Sequence, residues 1–329
     1  MLRLLLLFAA LLSPATAQDP VRQTTYAGAS HGFLTIPAFD KGYLIFLRNL
    51  GELRLYDPKG LPAYDTIVTQ PDGRDLSIGS AAVDTDGTVA VAVGYASPKG
   101  GYAGGIVHLD RSGKQTRFIE TGPYMPTQIC FAPDHTTWTF GWQRGAPDFV
   151  REDGEDYFMV RRYSKNGKEL GAYLPRSLFP PGLSPSSPGR GFWVIRAADS
   201  DRIGALAYRG SSREEWIEWD RSGKLIGRWK LDFEPNGGLA YTTDGRLYFH
   251  TWSRGAGRKG SRLVVLDRET SSWKEVPAPQ TRNPYDRVNI LLGADGNHLV
   301  FSMVPGETRL GWFAPPELSA PNQIQQAGK

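Results

Sequence analysis

Two short turn signatures alternate along this chain, and their alternation constrains the fold more than any other feature. The first sets a small or acidic turn before an apolar run: Phe39-Asp40-Lys41-Gly42-Tyr43, Thr85-Asp86-Gly87-Thr88, Pro133-Asp134-His135-Thr136, Ser200-Asp201-Arg202-Ile203, Thr243-Asp244-Gly245-Arg246 and Ala294-Asp295-Gly296-Asn297. The second follows each of the first five: Tyr56-Asp57-Pro58-Lys59-Gly60, Leu109-Asp110-Arg111-Ser112-Gly113, Tyr163-Ser164-Lys165-Asn166-Gly167, Trp219-Asp220-Arg221-Ser222-Gly223 and Leu266-Asp267-Arg268-Glu269-Thr270. Asp-Gly and Ser-Gly pairs supply the positive φ that tight hairpins need. Helical periodicity is almost absent, and aromatic residues at 12% of the chain, with many β-branched ones, fit strands. A period of about 40–50 residues made only of strands and turns is the mark of a β-propeller.

The spacing agrees. Successive aspartates of the first signature, Asp40, Asp86, Asp134, Asp201, Asp244 and Asp295, lie 46, 48, 67, 43 and 51 residues apart. The one long step contains a Pro/Ser/Gly insertion, Arg176 to Arg190, which cannot sit inside a sheet because proline lacks the ladder donor. The sequence therefore predicts an all-β chain of six four-stranded antiparallel blades, with seven blades as the rival count. Each unit reads as strands A, B, C and D, illustrated by Thr127 to Ala132, Thr136 to Trp142, Phe158 to Tyr163 and Glu169 to Leu174. In the sixth unit strand C falls at Thr308 to Phe313 and no strand D follows, whereas Arg22 to Tyr26 stands before the first unit with no partner. That N-terminal strand is expected to complete the last blade and close the ring.

The first 17 residues, with Arg3, the apolar run Leu4 to Leu12 and Ala15-Thr16-Ala17, read as a secretory signal that is far too short to span a bilayer. Residues 18–329 are expected to form a single propeller domain, secreted or periplasmic, with no transmembrane segment. The lone Cys130 excludes an intrachain disulfide and, in the apolar run Ile129-Cys130-Phe131, reads as a buried thiol. With 38 basic and 34 acidic residues interspersed, the net charge of +4 does not form the clustered stripe that nucleic acid requires.

In a four-stranded meander the A–B and C–D turns share one face of the ring, and the longer B–C and D–A loops share the other. Function on rigid β scaffolds concentrates in such loops. The B–C loops repeat a basic residue just beyond strand B, at Arg48, Arg144, Arg209 and Arg254, beside Trp142, Tyr208 and Trp252, with Tyr95 and Lys99 in the second unit. The D–A loops add Arg74, Arg190, Arg282 and Arg287. A guanidinium beside an aromatic ring suits carboxylates, phosphates and sugar acids. The competing reading is that these are solvated turn residues neutralised by Asp148, Glu152, Asp153, Glu155, Asp156, Glu214, Glu215 and Asp286 in the same loops. No Gly-x-Ser-x-Gly elbow, His-Glu-x-x-His pair or Walker-type loop is present.

The segment Glu234-Pro235-Asn236-Gly237-Gly238-Leu239-Ala240-Tyr241-Thr242-Thr243-Asp244-Gly245-Arg246-Leu247-Tyr248 resembles the Pro-Asn-Gly-Leu-Ala-x-x-x-Asp-Gly-x-x-Tyr stretch of gluconolactonase-like, NHL-repeat and TolB-like six-bladed propellers. In the lactonases that asparagine ligates a divalent metal at the channel mouth, so the resemblance implies Asn236 as a ligand for Ca²⁺ or Zn²⁺. The chain departs from the family in an extra glycine before Leu239 and in His31-Gly32-Phe33-Leu34-Thr35 where the family has Glu-Gly-Pro-x-Trp. Two functions stay open. One is a monomeric, non-catalytic binding propeller without a cofactor, engaging an anionic small molecule, a glycan or a protein through the Arg/aromatic face. The other is a metal-dependent lactonase-like hydrolase.

Overall fold

The computed structural model describes residues 18–26, 28, 36–49, 51–97, 101–143, 156–179, 195–198, 201–209, 213–233, 238–251, 261–283, 287–304 and 308–316. At 36, 37, 48, 49, 208, 209, 213, 214 and 287 the description is of the backbone alone. The chain is a six-bladed β-propeller. A first strand, β1 (Arg22–Tyr26), precedes blade 1, which is β2 (Ile36–Asp40), β3 (Tyr43–Asn49), β4 (Glu52–Tyr56) and β5 (Pro62–Ile67). Blade 2 is β6 (Ser77–Val83), β7 (Val89–Ala96), β8 (Tyr102–Leu109) and β9 (Gln115–Gly122). Blade 3 is β10 (Tyr124–Phe131), β11 (Thr137–Gln143), β12 (Phe158–Tyr163) and β13 (Glu169–Pro175). Blade 4 is β14 (Ile195–Ala197), β15 (Arg202–Arg209), β16 (Arg213–Asp220) and β17 (Leu225–Lys230). Blade 5 is β18 (Leu239–Tyr241), β19 (Leu247–Thr251), β20 (Arg262–Asp267) and β21 (Ser272–Pro277). Blade 6 is β22 (Arg287–Asp295), β23 (His298–Val304), β24 (Thr308–Phe313) and, as its fourth strand, β1.

The expected closure is therefore the observed one. β1 runs antiparallel to β24, with Arg22 opposite Trp312 and Tyr26 opposite Thr308. Pro37 and Pro126 lie in first strands and Pro62, Pro175 and Pro277 in fourth strands, whose outer edges need no donor; the second and third strands contain none. The first strand of blade 3 begins earlier than its sequence suggests, at Tyr124, because a bulge between Pro126 and Gln128 absorbs the proline.

Each of the six blade-to-blade junctions holds its own apolar cluster, and this is what makes the sheets a ring. The alternation in β7 shows how sequence sets the packing. Val89, Val91 and Val93 face blade 1, against Leu53 and Leu55, while Ala90 and Ala92 face blade 3, where Ile129 and Phe131 fill the space that alanine leaves. The second strand β7, covered on both sides, is thus apolar throughout and buried at every residue but the last. Fourth strands lie at the periphery, and every residue of β5 and β17 is exposed or half-buried. Blades 5 and 6 also meet through a parallel bridge between Gly238 and Leu291. Gly238 has φ +92°, and a Cβ there would lie 1.9 Å from the Leu291 carbonyl oxygen, so the extra glycine of the Asn236 segment is needed for blade contact.

The two turn signatures have distinct structural duties. In the second, the aspartate carboxylate caps its own turn: Asp110 Oδ1 accepts from the Ser112 and Lys114 amides at 2.9 and 3.1 Å, and Asp220 Oδ1 does the same for Ser222 and Lys224. The basic residue that follows reaches back to the previous blade, pairing Lys165 with Asp86, Arg221 with Asp134 and Arg268 with the buried Glu218. In the first signature, blade 3 places His135 at φ +62° where blades 2 and 5 place Gly87 and Gly245. A side chain in the left-handed region costs about 1–2 kcal/mol. Here it brings the imidazole Nδ1 within 2.7 Å of Oδ2 of Asp84, a 3%-exposed carboxylate of blade 2 whose Oδ1 accepts from the Thr85 amide.

Two stability outcomes follow. Tyr26 is fully buried at the seam between blades 6 and 1, its ring edge-on to Tyr56 at 5.4 Å, and its hydroxyl has no hydrogen-bond partner among the described residues. Tyr26→Ala is expected to lower unfolding free energy by about 3–5 kcal/mol in chemical denaturation, while Tyr26→Phe should match or exceed the wild type. His135→Ala keeps the backbone strain and loses the bond to Asp84, whereas His135→Gly loses both. Alanine should therefore be the more destabilising of the two by about 1 kcal/mol.

Candidate functional site

Strands β3, β11 and β15 all end on the face opposite the tight turns. They carry Arg48, Trp142, and Tyr208 with Arg209, to that face. Arg48 occupies a bulge where β3 pairs with β4, and Tyr208 and Arg209 stand opposite Glu214 and Arg213 in register. Trp142 is half-buried next to Met125 on β10. Arg144, Trp252, Arg254 and Asn236 lie outside the described residues, as do Lys99 and Arg190. Tyr95 belongs to the core instead: it is 6% exposed and meets Phe118 edge-on at 5.4 Å. Among the other basic residues of this face, Arg74 pairs with Asp72 at 2.7 Å and Arg282 with Asp19 at 3.5 Å. Two carboxylates that could have neutralised the arginines are engaged elsewhere: Glu215 receives a bidentate pair from Arg228, at 3.1 and 2.7 Å, and Asp156 accepts from the Ser177 amide and hydroxyl.

The turn-side end of the ring brings residues of the first signature together with Arg196, which belongs to neither signature. Blade 4 faces blade 1 across the ring, and Arg196 on β14 spans the gap: its Nη2 donates to the Phe39 carbonyl on β2 at 3.4 Å. Its Nη1 donates to its own Ile195 carbonyl, also at 3.4 Å. Directly after Phe39 comes Asp40, which is half-buried. Burial raises the Asp40 carboxyl above the usual carboxylate range; Arg196 and Lys41 oppose that rise, and Asp84 and Asp295 add to it. Arg196, Asp40 and Lys41 also act on Cys130 of blade 3, whose thiol is pushed well up by burial. Charged groups of blades 1, 2, 4 and 6 thus act on the Asp40 carboxyl.

One signal in the sequence could have revealed Arg196. Two positions before the A–B turn, the other first strands carry Ala38, Ala82, Cys130, Ala240 and Gly293. Arg196 stands at that register in blade 4, a long cation where every other blade has a small residue. Asp40 was visible only as a turn residue, since its place on the axis depends on ring closure.

The Asn236 segment leads into β18. Beside it His250 is 1% exposed, its amide donating to the Gly238 carbonyl at 2.9 Å, its Nε2 2.5 Å from Ser261 Oγ and its ring edge-on to Phe301. Among the described residues no group of three or more His, Cys, Asp or Glu side chains is placed to hold a metal ion. No helix among them is long and apolar enough to cross a membrane.

No protein-family model matches this chain, and no curated protein matches it. Solved structures similar to it include the soluble aldose sugar dehydrogenase of Escherichia coli, at 11% identity and TM-score 0.49 over 88% of this chain and 98% of that one. Others are TolB of Acinetobacter baumannii, at 14% identity and TM-score 0.43 over 82% and 63%, and the β-propeller domain of the Trilobed protease of Pyrococcus furiosus, at 12% and 0.44 over 74% and 70%. The strand topology, independent of these likenesses, establishes the six-bladed ring.

The electrostatics of Asp40 predict a pH-dependent gain. Its folded pKa lies above the unfolded value, so its favourable contribution is present in acid and is lost as pH rises through the folded pKa. At pH 7 an ionised Asp40 is a net cost. Asp40→Asn should raise the melting temperature at pH 7 and leave it near that of the wild type in acid, as thermal scans across pH would record.

Proposed function

We propose that this chain is an exported, non-catalytic binding propeller that engages an anionic small molecule, a glycan or an acidic protein surface through the Arg/aromatic face of the ring. What supports this reading is convergence: strands from blades 1, 3 and 4 deliver Arg48, Trp142, Tyr208 and Arg209 to the same face, around a channel whose far end Arg196 crosses. A ring face of this kind offers guanidinium forks for carboxylate or phosphate and aromatic planes for sugar rings. Arg144, Arg254 and Trp252 would extend the same chemistry around the rim, as their loops follow strands β11 and β19. Export rests on the leader-like first 17 residues. The protein would act as a monomer, without nucleic acid.

Calorimetric titration with glucuronate and with glucose tests the reading, because the two sugars differ in one carboxylate. Glucuronate is expected to bind more tightly than glucose, and the double variant Arg48→Ala/Arg209→Ala to weaken its affinity about tenfold, near 1.4 kcal/mol. Equal affinity for both sugars, or affinity unchanged in the double variant, would overturn it. A rise in melting temperature with Ca²⁺ or Zn²⁺ that Asn236→Ala abolishes would instead make this face a metal site.

A further inference from the structure

We propose that Arg196 and Asp40 form a recognition site on the ring axis for a short carboxylate that carries a hydrogen-bond donor on the adjacent carbon, an α-hydroxy or α-amino acid group. The proposal deepens the ring-face reading and rests on it, since it supplies the floor of the same channel.

The argument begins with partners. Other aspartates of the A–B turns are occupied: Asp84 by His135 and the Thr85 amide, Asp134 by Arg162 and Thr136, Asp295 by the Trp312 indole and Arg22, and Asp244 by Arg246. Asp40 accepts no hydrogen bond from any described residue and has no cation within 4.0 Å among them. A carboxylate held deep in a fold without donors is costly, and such groups call for an explanation in each case. Arg196 is under-used in the same way. A guanidinium has five N–H donors in a planar fork, and among the described residues this one makes two long bonds, both to carbonyl oxygens.

At the register of Arg196 the other blades carry a small residue, so the guanidinium is a departure of blade 4 alone. A ligand carboxylate would take two parallel N–H bonds from the Arg196 fork. A hydroxyl or ammonium on its α-carbon would donate to Asp40, which lacks a donor of its own. The requirement for both groups distinguishes this site from a simple anion trap: a carboxylate alone satisfies Arg196 but meets the charge of Asp40 with nothing to offset it.

The test is the melting temperature of the full protein with acetate, glycolate and glycine at equal millimolar concentrations, followed by titration to obtain Kd. Glycolate or glycine should raise the melting temperature and acetate should not. Arg196→Gln is expected to weaken that binding about tenfold or more, and Asp40→Asn to remove the preference over acetate. Circular dichroism establishes that each variant is folded. Should Arg196→Gln not fold, Arg196→Lys keeps the charge and loses the fork, and it should show the same loss. No stabilisation by any of the three acids, or binding that survives loss of the fork, would overturn the proposal. Glycolate and glycine probe the axis without the rim arginines, so their failure leaves the glucuronate result standing, and failure of the glucuronate test leaves theirs.

Discussion

The pairing of β1 with β24 is the contact on which the rest of the molecule depends. A row of blades that did not close would leave an apolar face on blade 1 and another on blade 6, together with an unpaired β24 edge, which is a template for association. β1 resolves all three. Its backbone completes the sheet of blade 6 over five residue pairs. Its last residue, Tyr26, joins Phe39, Leu44, Phe46 and Tyr56 of blade 1 with Val300, Leu310 and Trp312 of blade 6 in one cluster. At its other end Arg22 lies over the Trp312 ring at 4.3 Å and donates to the Pro58 carbonyl of blade 1. Residues far apart in sequence are thereby held as neighbours, and only then do the six first strands surround a common axis.

Within that frame the blades are held by complementary sizes rather than by identical contacts. Alanine on one side of blade 2 meets Ile129 and Phe131, whereas glycine in blade 4 makes room for Trp216, whose ring carbon would lie 2.1 Å from a Cβ at Gly204. Charged residues act mainly at the turn face. Most of those pairs are exposed and each contributes little, on the order of 0–1 kcal/mol. The exception is Glu218, fully buried, which takes Arg268 from blade 5 at 2.5 and 3.0 Å and the Trp216 indole at 2.9 Å. Leaving it unpaired would be far more costly than the pair is favourable, so it fixes how blades 4 and 5 seat.

The parts of this architecture that were legible in the sequence are those governed by local backbone chemistry. Asp57, Asp110 and Asp220 cap their own turns through bonds that span two to four residues, so the second signature marks the C–D hairpin wherever it occurs. Strands bounded by such turns were placed well: Phe158–Tyr163 and Thr308–Phe313 agree at both ends, and the missing fourth strand of blade 6 was enough to assign β1 its partner. What escaped has the opposite character. Tyr95 follows an apolar strand into a loop and reads as a rim residue, yet Phe118, more than twenty positions later, covers it. Arg196 and Asp40 are 156 positions apart and acquire a relation only because blade 4 lies across the ring from blade 1. Arg48 and Arg209, expected in loops, belong to the ends of β3 and β15, where strands run further than their apolar cores indicate.

A repeat fold also offers a way to separate structural from functional irregularities. Where one blade departs from the pattern, the departure either has a compensating partner or it does not. His135 has one: its imidazole meets the buried Asp84 carboxylate, and the strained backbone is matched by an inter-blade bond. Gly238 has one as well, in the close approach to Leu291. Arg196 has none of comparable strength, because two long contacts to carbonyl oxygens neither neutralise its charge nor use its fork. Asp40 belongs with it, a carboxylate whose removal should stabilise the fold at neutral pH. Local consistency is the rule for sequences that specify one structure, and the sites that break it without a structural return are where function concentrates. On that criterion Arg196 of blade 4 and Asp40 of blade 1, an under-used cation and an anion that accepts no hydrogen bond among the described residues, mark a departure from the repeat that packing between the described residues does not repay.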